Sequence, residues 1–148
     1  MRLFIDADAF PNLLKPLVLK AIQNQALKTY VVSNKKVSIG ESAFIEYIVV
    51  SQGVDEADNY IVDNVQAGDL VLSADIPLAD RVVSKKANVL NFRGEFYDEE
   101  NIKHHLVLRN LMSEIRDSGE ITRGPAPFSE KDKGSFANGF SKFLQKRR

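Results

Sequence analysis

The sequence predicts an α/β fold in which a mostly parallel sheet is flanked by helices and followed by a helical C-terminal extension. Short, uninterrupted apolar segments recur along the first two thirds of the chain, as is typical of strands buried on both faces. Between them lie segments with apolar residues at helical spacing, and this alternation indicates parallel β-α-β units. We therefore expect a single domain, with an α/β core over about 1–97 and a helical extension over about 98–148.

Each core element is predicted from its local pattern. The five strands are apolar runs that end in polar or turn-forming residues, and they span 3–5, 29–32, 47–50, 70–72 and 88–91. Helices are predicted after the first, third and fourth strands, around 13–22, 55–65 and 76–83. Pro77 suits the start of the last of these, because its missing N–H would have no partner in a first helical turn.

The extension is predicted to contain two helices. The first spans about 98–118, carries apolar residues mostly three or four apart, and ends at Gly119. The segment 124–128, Gly-Pro-Ala-Pro-Phe, is typical of a stiff extended connector. Ser129 then caps a last helix, because its hydroxyl can accept a free N–H of the first turn. The apolar side of that helix contains Phe136, Phe140, Phe143 and Leu144.

The composition excludes several classes of protein. The 148 residues include no cysteine, which excludes disulfides, thiol nucleophiles and Cys-ligated zinc. No apolar run approaches the ~20 residues of a membrane span, and Asp6 comes too early for a signal peptide. We therefore expect a soluble, cytoplasmic protein without a membrane partner.

The net charge of zero is a cancellation between two halves of the chain. Residues 1–80 carry 6 basic and 11 acidic side chains, a net of −5, whereas residues 81–148 carry 14 basic and 9 acidic ones, a net of +5. Neutrality argues against a protein that coats nucleic acid through a broad basic surface. It leaves room for local binding of a phosphate backbone beside an acidic site.

The placement of aspartates gives the strongest indication of chemistry. Asp6 and Asp8 follow the first strand, and Asp75 follows the fourth. In an open parallel sheet, ligands bind beyond the carboxyl ends of the strands, where the strand order reverses. If the first and fourth strands are neighbours, Asp6 and Asp75 face each other there, and Asp58 lies near the start of the helix after the third strand. Further candidates are Asp55, Glu56 and Asp80.

Clustered carboxylates repel one another and therefore favour a cation. Two unit charges about 5 Å apart cost roughly 3 kcal/mol at an effective dielectric constant of ~20. Oxygen ligands without Cys or paired His suit Mg²⁺ or Mn²⁺. The structural alternative is that Asp6 and Asp75 cap helices while Asp55 and Asp58 interact with a helix dipole.

Other sequence features are weaker. Arg81, Arg93 and Arg109 lie among apolar residues, so each is expected to form either an internal salt bridge or a phosphate contact. His104 and His105 are adjacent on a predicted helix and point about 100° apart, so they cannot form one metal pair. The basic cluster 146–148, Lys-Arg-Arg, is more typical of a solvent-exposed surface than of a site.

Several short motifs lie in order along nearly the whole chain: Asp-Ala-Asp-Ala at 6–9, Ala-Asp at 57–58, Gly-Asp at 68–69, Ala-Asp-Ile-Pro-Leu-Ala at 74–79, Arg-Gly at 93–94 and Gly-Pro-Ala-Pro-Phe at 124–128. Together they resemble the motifs of the bacterial YaiI/YqxD family, which is assigned to the PIN-like nuclease fold. The resemblance implies a PIN-like three-layer fold with acidic residues at strand ends that bind divalent metal for phosphodiester hydrolysis.

Carried over by position, the family's acidic residues are Asp6, with Asp8 beside it, Asp58 and Asp75. There are three departures from the family pattern. Phe10 stands where Cys is frequent, Asn59 stands where a second Asp is common, and Arg123 replaces a frequent Gly. The missing carboxylate at 59 argues more against a two-metal site than against a one-metal site.

The first functional hypothesis is a Mg²⁺- or Mn²⁺-dependent phosphodiesterase of the ribonuclease type, whose substrate is single-stranded RNA or another phosphodiester. Asp6 and Asp75 would bind the ion directly, while Asp58, as a further ligand, and Asp8 would complete the site or position water. Arg81 or Arg93 would bind the phosphate.

Two alternatives stay open. The first is a non-catalytic nucleic-acid-binding or regulatory module. The second is a phosphatase of the haloacid dehalogenase type, which matches Asp6-x-Asp8 but for which the expected downstream Lys and paired acidic motif are not evident.

Overall fold

A computed structural model describes residues 1–119 and 126–147. In these residues the strands are β1 (Leu3–Asp6), β2 (Thr29–Ser33), β3 (Ile45–Val49), β4 (Leu70–Leu72), β5 (Asn88–Leu90) and β6 (Phe96–Tyr97). The helices are α1 (Lys15–Gln25), α2 (Glu56–Asn64), α3 (Ile76–Ser84), α4 (Ile102–Asp117) and α5 (Glu130–Lys146), and a 3-10 turn at Asn12–Leu14 precedes α1.

The strands form one sheet in the order β3-β2-β1-β4-β5-β6, and all neighbouring pairs except β5 and β6 are parallel. The register pairs Leu3 with Leu70 and Asp6 with Val32. The predicted α/β class is therefore confirmed, as is the adjacency of the first and fourth strands. Because the chain moves outward in one direction from β1 and in the other from β4, the strand order reverses between these two strands.

Helices cover both faces of the sheet. Alternate strand residues point to opposite faces, so Leu3 and Ile5 pack with α1 and α5, whereas Phe4 packs with α2 and α3. Helix α5 contributes Phe136 and Phe140 to the first layer, both almost completely buried. The result is a three-layer arrangement that is consistent with the layout of PIN-like domains.

Strand β6 was not expected from the sequence, which predicted only helices after the fifth strand. This two-residue strand pairs antiparallel with β5 after a turn at Gly94, whose φ of 91° is in the left-handed region. A Cβ at Gly94 would lie 2.4 Å from the Ser135 carbonyl oxygen of α5, so only glycine fits there. A strand of two residues is too short to show periodicity, which is why the pattern did not reveal it.

The predicted helix from residue 98 begins later than expected, at Ile102. Asp98 instead begins a turn, in which its Oδ1 accepts the Glu100 and Asn101 N–H groups at 2.9 and 2.8 Å. Ile102 is the one buried residue of α4, and four large apolar side chains on the rest of this helix, at 107, 108, 111 and 112, are exposed. A turn that satisfies its own N–H groups competes with helix formation, which accounts for the late start.

The cap of the last helix is confirmed. The Ser129 hydroxyl accepts the Asp132 N–H, and the Asp132 carboxylate accepts the Ser129 N–H in return. Gly124 and Pro125 of the predicted connector, with Arg123 before them, lie outside the described residues. Within the described ranges, none of the helices combines the length and hydrophobicity needed to cross a bilayer.

Candidate functional site

All four aspartates predicted from the sequence line one crevice. It has a volume of about 340 Å³ and lies beyond the carboxyl ends of β1 and β4, where the strand order reverses. Its lining residues are Asp6, Asp8, Ala9, Asp58, Ala74, Asp75 and Phe92. Residues from β1, from the start of α2 and from the turn after β4 are thus brought together only by the folding of the sheet.

A buried serine connects the two central strands at this crevice. The Ser73 hydroxyl donates to Asp6 Oδ2 at 2.8 Å and accepts the Asp75 N–H at 3.0 Å, and the residue is fully buried. Ser73 thereby fixes the orientation of the Asp6 carboxylate relative to Asp75. Its position in the sequence indicated no role beyond ending a strand. The sequence signal that could have revealed this role is the position of Ser73, a polar residue directly after an apolar strand and two residues before the candidate ligand Asp75.

Asp75 and Asp8 each satisfy a backbone N–H. Asp75 is the N-cap of α3, and its Oδ1 accepts the Leu78 N–H at 3.0 Å, as the helix-capping alternative predicts. Asp8 Oδ1 accepts the Asn34 N–H at 2.9 Å, which holds the turn after β1 against the end of β2. No donor in the described residues hydrogen-bonds to the second oxygen, Oδ2, of either carboxylate. Each side chain therefore combines a structural contact with a carboxylate oxygen that can bind a ligand.

The electrostatics of the crevice couple these carboxylates to one another. Burial raises the pKa of Asp6 to about 6, with further increases from Asp75 and Asp8, against a decrease from the Ser73 hydrogen bond. Burial also raises the pKa of Asp58 to about 6, and Asp75 and Asp6 add to it. Negative charge in the crevice is therefore unfavourable. Either protonation of a carboxylate or binding of a cation relieves this cost.

The donor set determines which cation would suit the crevice. Among the described residues, no group of three or more His, Asp or Glu side chains is placed so that it could hold a metal ion. Mg²⁺ usually retains several water ligands and binds one or two protein carboxylates together with substrate phosphates. An open crevice lined by carboxylates, with a serine hydroxyl behind them, therefore fits a partly hydrated Mg²⁺ or Mn²⁺ ion and does not fit a closed protein cage.

Comparison with known proteins identifies the family. A family described as "Uncharacterized BCR, YaiI/YqxD family" matches residues 4–146. The chain belongs to the YaiI/YqxD family. A relative from Sulfurimonas denitrificans, named "UPF0178 protein", is 60% identical over 146 residues, which cover 99% of this chain and 97% of the relative.

Two further relatives of this YaiI/YqxD protein carry the same name. The relative from a Sulfurovum species is 59% identical, and the match covers 99% of each chain. The one from a Nitratiruptor species is 51% identical over 99% of this chain and 96% of the relative. No solved structure matches the chain.

The two arginines predicted to bind phosphate occupy different environments in this YaiI/YqxD protein. Arg81 donates to Asn59 Oδ1 at 3.0 Å, forms no salt bridge within the described residues, and lowers the pKa of Asp58 by its charge. Arg93 forms a salt bridge with Asp132 at 2.8 Å and also donates to the Ala126 carbonyl. Of the two alternatives predicted for Arg93, a phosphate contact or an internal salt bridge, the structure therefore shows the salt bridge.

The further candidates lie outside the crevice lining. Asp80 forms a salt bridge with Lys103 at 2.8 Å, which joins α3 to α4. Asp55 precedes α2 with a left-handed φ of 63°, makes no capping hydrogen bond, and raises the pKa of Asp58 through its charge. Glu56 is exposed in the first turn of α2. Their contribution to the crevice is electrostatic or structural.

Two positions that depart from the family pattern are explained by their contacts. Phe10 is buried and packs edge-on against Phe92, with ring centroids 5.3 Å apart, and Phe92 lines the crevice. Phe10 therefore supports the crevice wall by packing. Asn59 is exposed on α2 and binds Arg81, so the carboxylate that is missing at this position does not leave a gap in the crevice lining.

Proposed function

We propose that this protein is a Mg²⁺- or Mn²⁺-dependent phosphodiesterase that acts on single-stranded RNA. The observation that carries the proposal is the convergence of four aspartates on one open crevice at the reversal point of a parallel sheet. The raised pKa values of Asp6 and Asp58 support it, because perturbed carboxylates in a crevice are typical of functional sites.

Each side chain has a role in this proposal. Asp6 and Asp75 would hold the ion, with Asp58 as a further ligand, and Ser73 keeps Asp6 in place. The ion would supply Lewis acidity toward a phosphoryl oxygen. Asp8, which also lines the crevice, would complete the site or position the attacking water. Arg81 is the better candidate for the phosphate, because Arg93 is engaged by Asp132.

A non-catalytic module is the second candidate, and one observation favours it. Asp75 and Asp8 each hydrogen-bond to a backbone N–H, so both have structural roles that need no metal. Calorimetric titration of the metal-free protein separates the two functions. Binding of Mn²⁺ that is lost in Asp6→Asn supports the enzyme, whereas absence of Mg²⁺ and Mn²⁺ binding at millimolar concentration supports the module.

Cleavage of labelled single-stranded RNA tests the activity. With Mn²⁺, the wild type should cleave the RNA, and Asp6→Asn should lower the rate by at least about a thousandfold, because one ligand charge is removed. The matched control is Asp63→Asn, an exposed aspartate of α2 outside the crevice, which should cleave like the wild type. Equal activity in the Asp6 variant would identify a contaminating nuclease and contradict the proposal.

A further inference from the structure

A second cleft lies at the opposite edge of the sheet from the four aspartates. Its volume is about 590 Å³, and it is formed by β5, β6 and the last turns of α5. Its lining residues are Asn88, Phe96, Lys142, Phe143, Lys146 and Arg147, and we refer to it as the basic cleft. The basic cleft lies beside β5 and β6, where Phe96 pairs with Leu90, and it reaches the amino edge of the parallel strands at Asn88, which begins β5. Asp6, in contrast, ends β1 at the carboxyl edge.

The positive charges of the basic cleft come from one side of one helix. Lys142 and Lys146 are four residues apart, as are Phe143 and Arg147, so both pairs are neighbours on the surface of α5. The three cations are exposed, and within the described ranges none of them forms a salt bridge. No acidic side chain is among the residues that line the cleft. The basic cleft therefore attracts an anion.

The helix dipole explains only part of this arrangement. Cations in the last turn of a helix are favoured by the negative charge of its free carbonyl groups, which accounts for Lys146 and Arg147. Lys142 lies one turn earlier, where the dipole effect is weak. The dipole also gives no reason for aromatic rings beside the cations.

Two phenylalanines form the apolar part of the basic cleft. Phe96 of β6 and Phe143 of α5 have ring centroids 5.9 Å apart with their planes inclined by 30°, and both are partly exposed. Gly139 favours this contact, because a Cβ at that position would lie 3.1 Å from the Gly94 carbonyl oxygen, and either α5 or the turn at Gly94 would have to shift by a few tenths of an ångström. Aromatic rings flanked by cations are the combination that binds single-stranded nucleic acid, in which bases stack and phosphates pair with Lys or Arg.

We propose that the basic cleft binds single-stranded nucleic acid, with a base against Phe96 and Phe143 and the phosphates at Lys142, Lys146 and Arg147. The inference rests on the proposed function for its choice of RNA as the polymer, and it adds a contact surface away from the crevice. Asp132, beside Arg93 at the carboxyl edge, is 14 residues before Lys146 on α5, which corresponds to about 21 Å of helix. The last turn of α5 is therefore far from the carboxyl edge, and contact with both surfaces requires a longer oligonucleotide than contact with either one.

Fluorescence anisotropy with a labelled single-stranded RNA of about 16 nucleotides tests the cleft. The protein carries Asp6→Asn and the buffer contains EDTA, so that binding is measured without cleavage. Adding Lys142→Gln, Lys146→Gln and Arg147→Gln should weaken binding at least about tenfold. The same three changes should reduce the slope of log K against log salt concentration by about 2, because each lost phosphate contact removes about 0.7.

The matched control changes three exposed lysines elsewhere to Gln: Lys20, Lys28 and Lys131. This triple variant has the same net charge as the cleft variant and should bind within about threefold of the parent protein. Equal weakening by the two triple variants would overturn the proposal, because it would show attraction to overall charge rather than to the cleft.

Stacking is tested separately at Phe143. Phe143→Leu keeps an apolar side chain but removes the ring, and it should weaken RNA binding roughly tenfold. Phe143→Tyr keeps a ring and should bind RNA as tightly as the parent protein. Urea unfolding of both variants checks that the fold is intact. Unchanged binding by Phe143→Leu, together with displacement of the RNA by inorganic phosphate, would overturn the proposal in favour of a simple phosphate site. Binding of phosphatidylglycerol vesicles in place of RNA would likewise overturn it.

Cleavage assays distinguish this proposal from the proposed function. RNA binding that depends on the basic cleft, with no Mn²⁺-dependent cleavage by the wild type, would refute the enzyme and support the cleft. Cleavage that is undiminished in the cleft variant, on long as well as short RNA, would refute the cleft and support the enzyme.

Discussion

The two edges of the sheet carry their charges in different ways. At the carboxyl edge, four short aspartate side chains line the crevice, and burial and mutual repulsion raise the pKa of Asp6 and of Asp58. At the amino edge, three long cationic side chains are exposed around the basic cleft and belong to a single helix. The backbone positions the charges of the crevice, whereas solvent surrounds those of the cleft.

This difference has an energetic consequence. A carboxylate that loses water on folding lowers the stability of the protein unless a proton or a cation compensates it. An exposed lysine retains its hydration and costs little. We therefore expect charge in the crevice to oppose folding of the metal-free protein and charge in the basic cleft to be nearly neutral for stability.

The largest effect is expected from pH. The pKa values of Asp6 and Asp58 are about 6 in the folded protein, above the ordinary aspartate value of 3.8, so between about pH 4 and pH 6 the folded state binds more protons than the unfolded state. The free energy of unfolding of the metal-free protein should therefore fall as the pH rises through this window and level off above it. A shift of this size corresponds to about 3 kcal/mol for Asp6. Urea unfolding between pH 4 and pH 8 in EDTA measures it.

Asp6→Asn provides the control for this pH dependence. The amide still accepts the Ser73 hydrogen bond but cannot ionise, so the variant should gain stability at pH 8 and show a shallower pH dependence. Asp63→Asn, on the exposed surface of α2, should keep the wild-type profile. An unchanged profile in the Asp6 variant would show that Asp6 is not desolvated as described.

A smaller effect is expected at Ser73. Ser73→Ala removes the donor to Asp6 and leaves the Asp75 N–H without its acceptor, so stability should fall by about 1–3 kcal/mol. The pKa of Asp6 should also rise further, since the hydrogen bond favours the ionised form. Urea unfolding and an NMR titration of the carboxyl carbon measure the two changes.

Ser84→Ala is the matched control for this prediction, because that exposed hydroxyl donates only to the Asp80 carbonyl within α3. Its stability should change by less than about 0.5 kcal/mol. A similar loss in both serine variants would contradict a special role of Ser73 in the crevice.

The smallest effect on stability is expected at the basic cleft. Replacing Lys142, Lys146 and Arg147 by Gln should change the free energy of unfolding by no more than about 0.5 kcal/mol per residue, because all three are exposed and form no salt bridge in the described part of the chain. Thermal and urea unfolding of the triple variant measure this. A decrease of several kcal/mol in the free energy of unfolding would show that these cations stabilise the fold, and it would contradict the contrast between the two edges.

Much of the fold was predictable because its patterns are local. The apolar runs that precede Asp6 and Asp75 form buried strands, as predicted. The apolar face of α3 is likewise buried, as the spacing of its residues predicts. Strand β6 was not predictable, because it is held by β5 and by the close approach of α5 at Gly94. The start of α4 at Ile102 likewise depends on a turn formed by Asp98 and Asn101.

The sequence by itself determined the five parallel strands, the last helix with its cap and the four aspartates of the crevice, because each is encoded in a few neighbouring residues. It also determined the family, through motifs spread along nearly the whole chain. Only the tertiary structure decided which groups support those aspartates and which do not. Ser73 acquired its role because β4 lies beside β1, and Arg93 was engaged because α5 places Asp132 next to it. The basic cleft arose in the same way, since residues of β5, β6 and α5 meet only when the helix packs on the sheet.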